Sequence, residues 1–400
     1  MKWDPKIYLA IDNCFASKRW TKPEDWSSLI AGLGVFYIEA SADTECDPLY
    51  MGEEYMKEWR DRVREACAGS GVQIINLYSG HGTYATLGLA HWDERVRKRF
   101  RDGWLKKQAD TAAVFGAGLG FFAHALDETF LQKREESEKV LEQLYLDLAD
   151  LAAYGAEKGI TSMGVEQMYA PHQPPWTIEG AKRLLREVYA RGGHPFYLTD
   201  DVGHMNGQQF FQRPDEEYIL RMLKAKREGT APKRIWLGSK KACTYFQEAL
   251  NGQRSEQEVV KRILDDCEKN PHLFAMPCDG SVYAWLEETG RYSPIIHLQQ
   301  SDGKSSPHWP FDPLHNDRGI IDGEKVMRSL SAGFEKEREE GMPPVCGAIA
   351  MTLEPFIGTA GNTYDALEEL QLSVQYWRQF IPEDGMRLSE IIRRLDERQG

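Results

Sequence analysis

Residues 195–206 read PFYLTDDVGHMN. An apolar run, Phe196 to Leu198, passes straight into Asp200, Asp201 and His204. A strand of alternating polarity faces water on one side. A continuous apolar run is buried on both faces, as in a parallel sheet covered by helices. Ionisable groups at the end of such a run are costly to bury unless they are paired or bind a metal.

The same pattern recurs along the chain. Upstream it appears as IYLAIDN (7–13), GVFYIEAS (34–41), VQIINLYSGH (72–81), GLGFFAHAL (118–126) and TSMGVEQM (161–168). Downstream it appears as SPIIHLQQSDG (293–303) and VCGAIAMTLEPF (345–356). Between these runs lie charged, helix-period segments. Helices are predicted from Pro23 and Glu24 onward, then over 53–69, 92–114, 134–158, 177–191 and 322–340, with a helical pair at the C-terminus. Eight strand–helix units predict an α/β protein, a closed (β/α)8 barrel filling residues 1–400 as a single domain. A doubly wound sheet would carry GxGxxG after its first strand, and DNCFAS (12–17) is not that. Gly116-Ala-Gly118-Leu-Gly120 precedes a strand and reads as a turn.

One interval breaks the rhythm. Most candidate strands are about 30–45 residues apart, but the sixth and seventh are separated by roughly 90. Residues 207–277 therefore read as an insertion, with one predicted helix over 255–269 and a basic segment (Lys233, Arg234, Lys240, Lys241). In a barrel it emerges on the active-site face, as a lid, an oligomer contact or a surface decoration.

Composition sets the outer bounds. The 400 residues are 42% hydrophobic and carry 49 Lys+Arg against 62 Asp+Glu, a net charge of -13. That is globular composition, and its acidity argues against a nucleic-acid partner. The longest apolar runs are about eight residues where a bilayer span needs roughly 20, so no membrane association is expected. The N-terminal MKWDPKIYLAIDN shows no secretory h-region, and the seven cysteines are odd in number with no CxxC pair. A reduced cytoplasm is the expected compartment.

The residues that end the strands carry the chemistry. They are Asp12 and Asn13, Glu39, His81, His124, Glu166, Asp201 with His204, His297, and Glu354. In a closed barrel these ends converge on one rim. Glu166, Asp201, His297 and Glu354 come from strands five to eight. Three carboxylates and an imidazole suit one divalent ion such as Mn2+, Mg2+, Co2+ or Zn2+. An ion beside two glutamates suggests a metal-stabilised enediolate, with one glutamate removing the proton next to a carbonyl and the other delivering it. Delivery to the same carbon inverts that centre; delivery to its neighbour interconverts aldose and ketose.

The chain resembles the xylose isomerase-like TIM barrel superfamily in its sugar phosphate isomerase/epimerase branch, close to ketose 3-epimerases and the tetrulose-phosphate epimerases of erythritol breakdown. Asp201-Val-Gly-His204-Met-Asn206 is similar to the D-x-x-H-M-N after the family's sixth strand. The resemblance implies Asp201 as a metal ligand and His204 as a substrate contact. It implies Glu166 in GVEQM and Glu354 in MTLEPF as ligands that are also the catalytic acid and base, and His297 as the seventh-strand ligand. Mn2+ is the first expectation for the cofactor.

The stretch IIHLQQSDGKSSPHWPF (295–311) resembles the tetrulose-phosphate branch, and places Gln299, Lys304, Ser305 and His308 near the rim. Lys304 there, with Lys18 and Arg19 from across the pocket, would hold a phosphate. His81 and His124 would bind substrate hydroxyls, and Trp20 and Trp309 would stand near a sugar ring. The expected substrate is thus a small sugar or sugar phosphate, possession of a tetrulose skeleton being one option, and a homo-oligomer is expected. The alternative is a zinc-dependent phosphodiester hydrolase of the AP-endonuclease type. It would use His81, His124 and His204 as further ligands, but needs D-x-H after strand seven where this chain has Ser306-Pro307-His308.

Overall fold

The computed structural model describes residues 3–80, 87–358 and 360–398. Each apolar run of the sequence becomes a strand: β1 (Lys6–Asp12), β2 (Tyr37–Ser41), β3 (Gln73–Tyr78), β4 (Gly118–Phe121), β5 (Met163–Glu166), β6 (Tyr197–Asp201), β7 (Ile295–Leu298) and β8 (Ala348–Leu353). Neighbours in sequence are neighbours in the sheet, all parallel, and β8 and β2 both pair with β1, so the sheet closes. The register sets Asp201 opposite His297, and Asp12 opposite Glu39. A two-residue β9 (Met386–Arg387), not expected from the sequence, runs antiparallel to the start of β1.

The helices fall where the apolar periodicity put them: Pro23–Gly32, Pro48–Ser70, Arg134–Lys158, Ile178–Gly192, Gly323–Glu335, Thr363–Arg378 and Leu388–Glu397. The segment predicted as one helix over 92–114 is Glu94–Phe100 and Lys106–Phe115, joined through a π-helical turn at Arg101–Leu105. Side-chain caps start several of them. Thr177 accepts from the Gly180 amide at 3.1 Å and Asp322 from that of Lys325 at 2.9 Å. The fully buried Trp26, Trp59, Trp104, Trp285 and Trp377 belong to one continuous apolar core.

The run Gly116–Gly120 is only partly the turn its sequence suggested. Gly116, at φ 62°, ends a helix, but Gly118 and Gly120 lie inside β4. A Cβ at Gly118 would sit 2.6 Å from Asn76 Oδ1, so the bare backbone there makes room for a side chain of the barrel interior.

The long connection between β6 and β7 holds three substantial helices, Glu216–Glu228, Lys240–Leu250 and Glu256–Lys269, where one was predicted. They pack through their own apolar cluster, including Ile219, Leu223, Phe246, Val259 and Ile263. Among the described residues, no helix is long and apolar enough to cross a membrane.

Candidate metal and substrate site

The parallel register carries the strand-end side chains to one end of the barrel. His297 of β7 stands at the centre. Its Nδ1 lies 3.4 Å from Glu166 Oε1 and 3.5 Å from Glu354 Oε2. Its Nε2 lies 2.7 Å from Glu39 Oε2, and Asn76 Nδ2 donates to the other oxygen of Glu39 at 2.6 Å. Asp201 accepts from Gln299 Nε2 at 3.0 and 2.9 Å and from the Gly203 amide at 2.7 Å. His204 sits between two of these carboxylates, Nδ1 3.4 Å from Glu166 Oε1 and Nε2 3.4 Å from Asp201 Oδ2. Glu166, Asp201, His297 and Glu354 are thus brought together, all buried, with His204 beside them.

The electrostatics are those of crowded acids. Burial, reinforced by the charges of Glu354 and Asp201, holds the Glu166 carboxyl well above the usual range, although His297 opposes this. Burial also disfavours a charged His297, yet the carboxylates of Glu354 and Glu39 outweigh it and keep the imidazole pKa well above its ordinary value. Asp12 is pushed up by burial and then by Glu39 and Glu354. Burial pushes His204 down, and pushes His124 down to about 3.

A cation suits this arrangement. Both carboxylate oxygens of Glu166 and Nδ1 of His297 are buried without a hydrogen-bond partner among the described residues. Separations of 3.4–3.5 Å are long for a charged hydrogen bond. They match two ligands that each lie about 2.1 Å from a common ion, which are about 3–3.5 Å apart. Three groupings have ligand atoms within 4.8 Å of one another: Glu166–Asp201–His204, Asp201–His297–Glu354 and Asp12–Glu39–His297. They overlap through Asp201 and His297.

Above these residues opens a cavity of about 390 Å³. Lys18, Asp43, His204, Ser306 and His308 supply its polar lining, and Phe122, Tyr169 and Phe356 its flat apolar walls. Gln299 organises one side. Its amide nitrogen holds Asp201, while its oxygen accepts from the His308 amide at 2.8 Å and the Ser306 hydroxyl at 3.1 Å. His308, at φ 51°, places Nδ1 3.3 Å from Glu354 Oε2. Lys18 Nζ lies 5.4 Å from the centre of the Phe356 ring.

Other residues expected at the rim lie elsewhere. Arg19 donates to the carbonyls of Gly358 and Gly361 at 3.1 and 2.8 Å and does not line the cavity. Lys304 projects from the loop after β7 into a different cleft. His124, by contrast, stays next to the site, buried behind the cavity wall Phe122 with ring centroids 5.0 Å apart and near enough to His204 for the two imidazoles to disfavour each other's charge. Trp20 packs against Phe15 and Trp309 lies under the Arg318 guanidinium, so neither is a cavity wall. His81 lies outside the described residues. Conversely, Glu39 and Asn76 join the site without having been expected as partners of His297. Their one sequence signal was position: Glu39 ends an apolar run.

Comparison with known proteins places the fold. The sequence model of the family described as Xylose isomerase-like TIM barrel matches residues 28–227. The D-erythrulose 1-phosphate 3-epimerase of Brucella abortus is 24% identical over 135 residues, which are 34% of this chain and 40% of that protein. The chain therefore matches about two fifths of that relative's length. A candidate xylose isomerase from Rhodospirillum rubrum superposes with a TM-score of 0.66 at 17% identity, over 93% of this chain and 99% of that one. D-psicose 3-epimerase from Clostridium cellulolyticum, solved with D-tagatose, does so with a TM-score of 0.54 at 12% identity, over 94% and 98%. These structures share the barrel. With that barrel closed and the family's own pattern matched over half of its length, the chain belongs to the xylose isomerase-like TIM barrel family.

Proposed function

We propose that the protein is an isomerase that moves a proton at a carbon beside the carbonyl of a small ketose or ketose phosphate, as an epimerase or an aldose–ketose isomerase. Glu166, Asp201, His297 and Glu354 would hold one divalent cation, Mn2+ by preference. When bound, that ion supplies positive charge against which oxygen charge developing on the substrate is stabilised. Glu166 and Glu354, both close to His297 Nδ1, serve as base and acid.

His204, His308 and Ser306 offer hydrogen bonds to substrate hydroxyls, and Phe122, Tyr169 and Phe356 pack against C–H faces. Lys18 supplies a cationic contact for a phosphate. The Brucella relative's substrate, D-erythrulose 1-phosphate, makes a tetrulose phosphate the first candidate. Free thiols at all seven cysteines suit a reducing cytoplasm. We further propose one domain over 1–400, assembled as a homo-oligomer, with 207–277 as a lid or contact region.

The observation that carries this reading is the convergence of two buried glutamates on one imidazole nitrogen. The test is deuterium uptake from D2O by a ketose panel that includes D-erythrulose 1-phosphate and D-psicose. Glu166→Gln and Glu354→Gln should each slow uptake by about 10²–10⁴-fold while substrate still binds. No uptake by the metal-loaded wild type would overturn the proposal. Zinc-dependent phosphodiester hydrolysis remains the second reading because three ligand groupings exist. The isomerase reading expects one ion per chain, and two or three by elemental analysis would favour the hydrolase.

A further inference from the structure

A second cleft, of about 770 Å³, opens between the 3-10 turn Gly207–Phe211, the helix Glu216–Glu228 and the segment 232–236. No residue lines both this cleft and the cavity above His297. Its size lies within the usual range for a small-molecule site.

The lining is cationic in a chain whose net charge is -13. Arg213, Arg221, Lys233, Arg234 and Lys304 face two carboxylates, Asp215 and Glu217. Those carboxylates are already engaged. Asp215 caps its helix by accepting from the Tyr218 amide at 2.7 Å, and Glu217 Oε1 lies 3.7 Å from Arg221. Arg213 faces Glu268 at 3.3 Å. Among the described residues, no carboxylate lies within 4.0 Å of Lys233 or Arg234. Arg213, Arg221 and Lys304 each have a carboxylate at 3.3–4.0 Å; the like charges of Lys233 and Arg234, which have none, repel each other, and an anion relieves that cost.

The same cleft offers flat surfaces. Phe210, Tyr218 and Trp236 contribute to its walls, and the Arg234 guanidinium stacks over Phe210 at 5.3 Å. Trp236 is held in place, its Nε1 donating to the Leu273 carbonyl at 2.9 Å and its ring edge-on to Phe211 at 4.9 Å. Guanidinium and ammonium groups recognise phosphate oxygens. Aromatic faces recognise planar bases or the C–H faces of sugars.

We propose that this cleft is a second binding site, separate from the barrel cavity, for a phosphate monoester carried on a ring with a flat face. Lys233 and Arg234, with Lys304, hold the phosphate; Phe210 and Trp236 hold the ring. Lys304 thus serves a phosphate in the insertion rather than at the barrel rim. The assignment does not depend on the isomerase reading.

Isothermal titration of the full chain with adenosine monophosphate, ribose 5-phosphate, adenosine and inorganic phosphate tests it. The expected result is saturable binding of at least one of the two esters, one per chain. That ester should bind about tenfold or more tighter than adenosine or inorganic phosphate, and should weaken at least tenfold in Lys233→Glu/Arg234→Glu. The double variant alters exposed residues and should keep the wild-type melting temperature. Tighter binding of the nucleotide identifies a base as the ring; tighter binding of the sugar ester identifies a sugar. The proposal is overturned by no saturable binding of either ester at millimolar concentration, by adenosine binding as tightly, by inorganic phosphate alone matching the esters, or by undiminished affinity in the folded double variant.

Discussion

Both nitrogens of His297 face carboxylates, Nε2 towards Glu39 and Nδ1 towards Glu166 and Glu354. A carboxylate on the outer nitrogen fixes which way the ring turns and leaves the other nitrogen for a cation. Replacing Glu39 with Gln weakens that orientation. Mn2+ affinity, measured by titration calorimetry, should fall by about 10–100-fold without loss of the fold; an unchanged affinity would mean that Glu39 does not orient His297. Gly203 has a comparable steric role. A Cβ there would lie 2.2 Å from Gln299 Cδ. Gly203→Ala should therefore displace Gln299 from Asp201 and weaken Mn2+ binding, which the same titration reads. The four metal-ligand candidates were legible because each interrupts or ends an apolar run. The pairing of Glu39 with His297 was not, since it links residues 258 apart in sequence and exists only once the barrel closes. Lys304 and Arg19 stand near strand ends in sequence, but the direction of a long flexible side chain is set by its neighbours in space.

At the scale of elements, strands and helices were readable because burial imposes a periodicity on them. The insertion was read less well. Its helix Glu216–Glu228 places Ile219, Met222 and Leu223 on one stripe, a helical spacing visible in the sequence. That stripe packs against neighbouring insertion helices, so the core it builds is local. The connections before β7 and β8 are tied by ion pairs instead. Lys182, on the helix Ile178–Gly192, bridges Glu288 and Glu339, the latter at 2.7 Å. Arg186 and Lys336 hold the far oxygens of the same two carboxylates at 2.5 and 2.6 Å. Both glutamates are about one-third exposed, so solvent screens the network. Lys182→Met should lower unfolding stability by about 1–2 kcal/mol, read from the midpoint of urea denaturation.

For the molecule as a whole, the mouth of the barrel gathers Asp12, Glu39, Glu166, Asp201 and Glu354, each almost wholly buried. Their mutual repulsion opposes folding, and a divalent ion that binds only the folded chain offsets it. An ion present at a hundred times its dissociation constant adds about 2.7 kcal/mol. Chelation should lower the melting temperature by a few degrees and Mn2+ should restore it. Sodium chloride at matched ionic strength should not, because buried charges are poorly screened by salt. Equal recovery with sodium chloride would show that general screening, not a bound ion, is at work. The closure that creates this mouth also bears on how the chain is made. β1 rests between β2 and β8, and its first residues also pair with β9. On the ribosome, β1 must wait with an open edge until β8 emerges, so the nascent barrel passes through an unfinished sheet that chaperones have reason to shield.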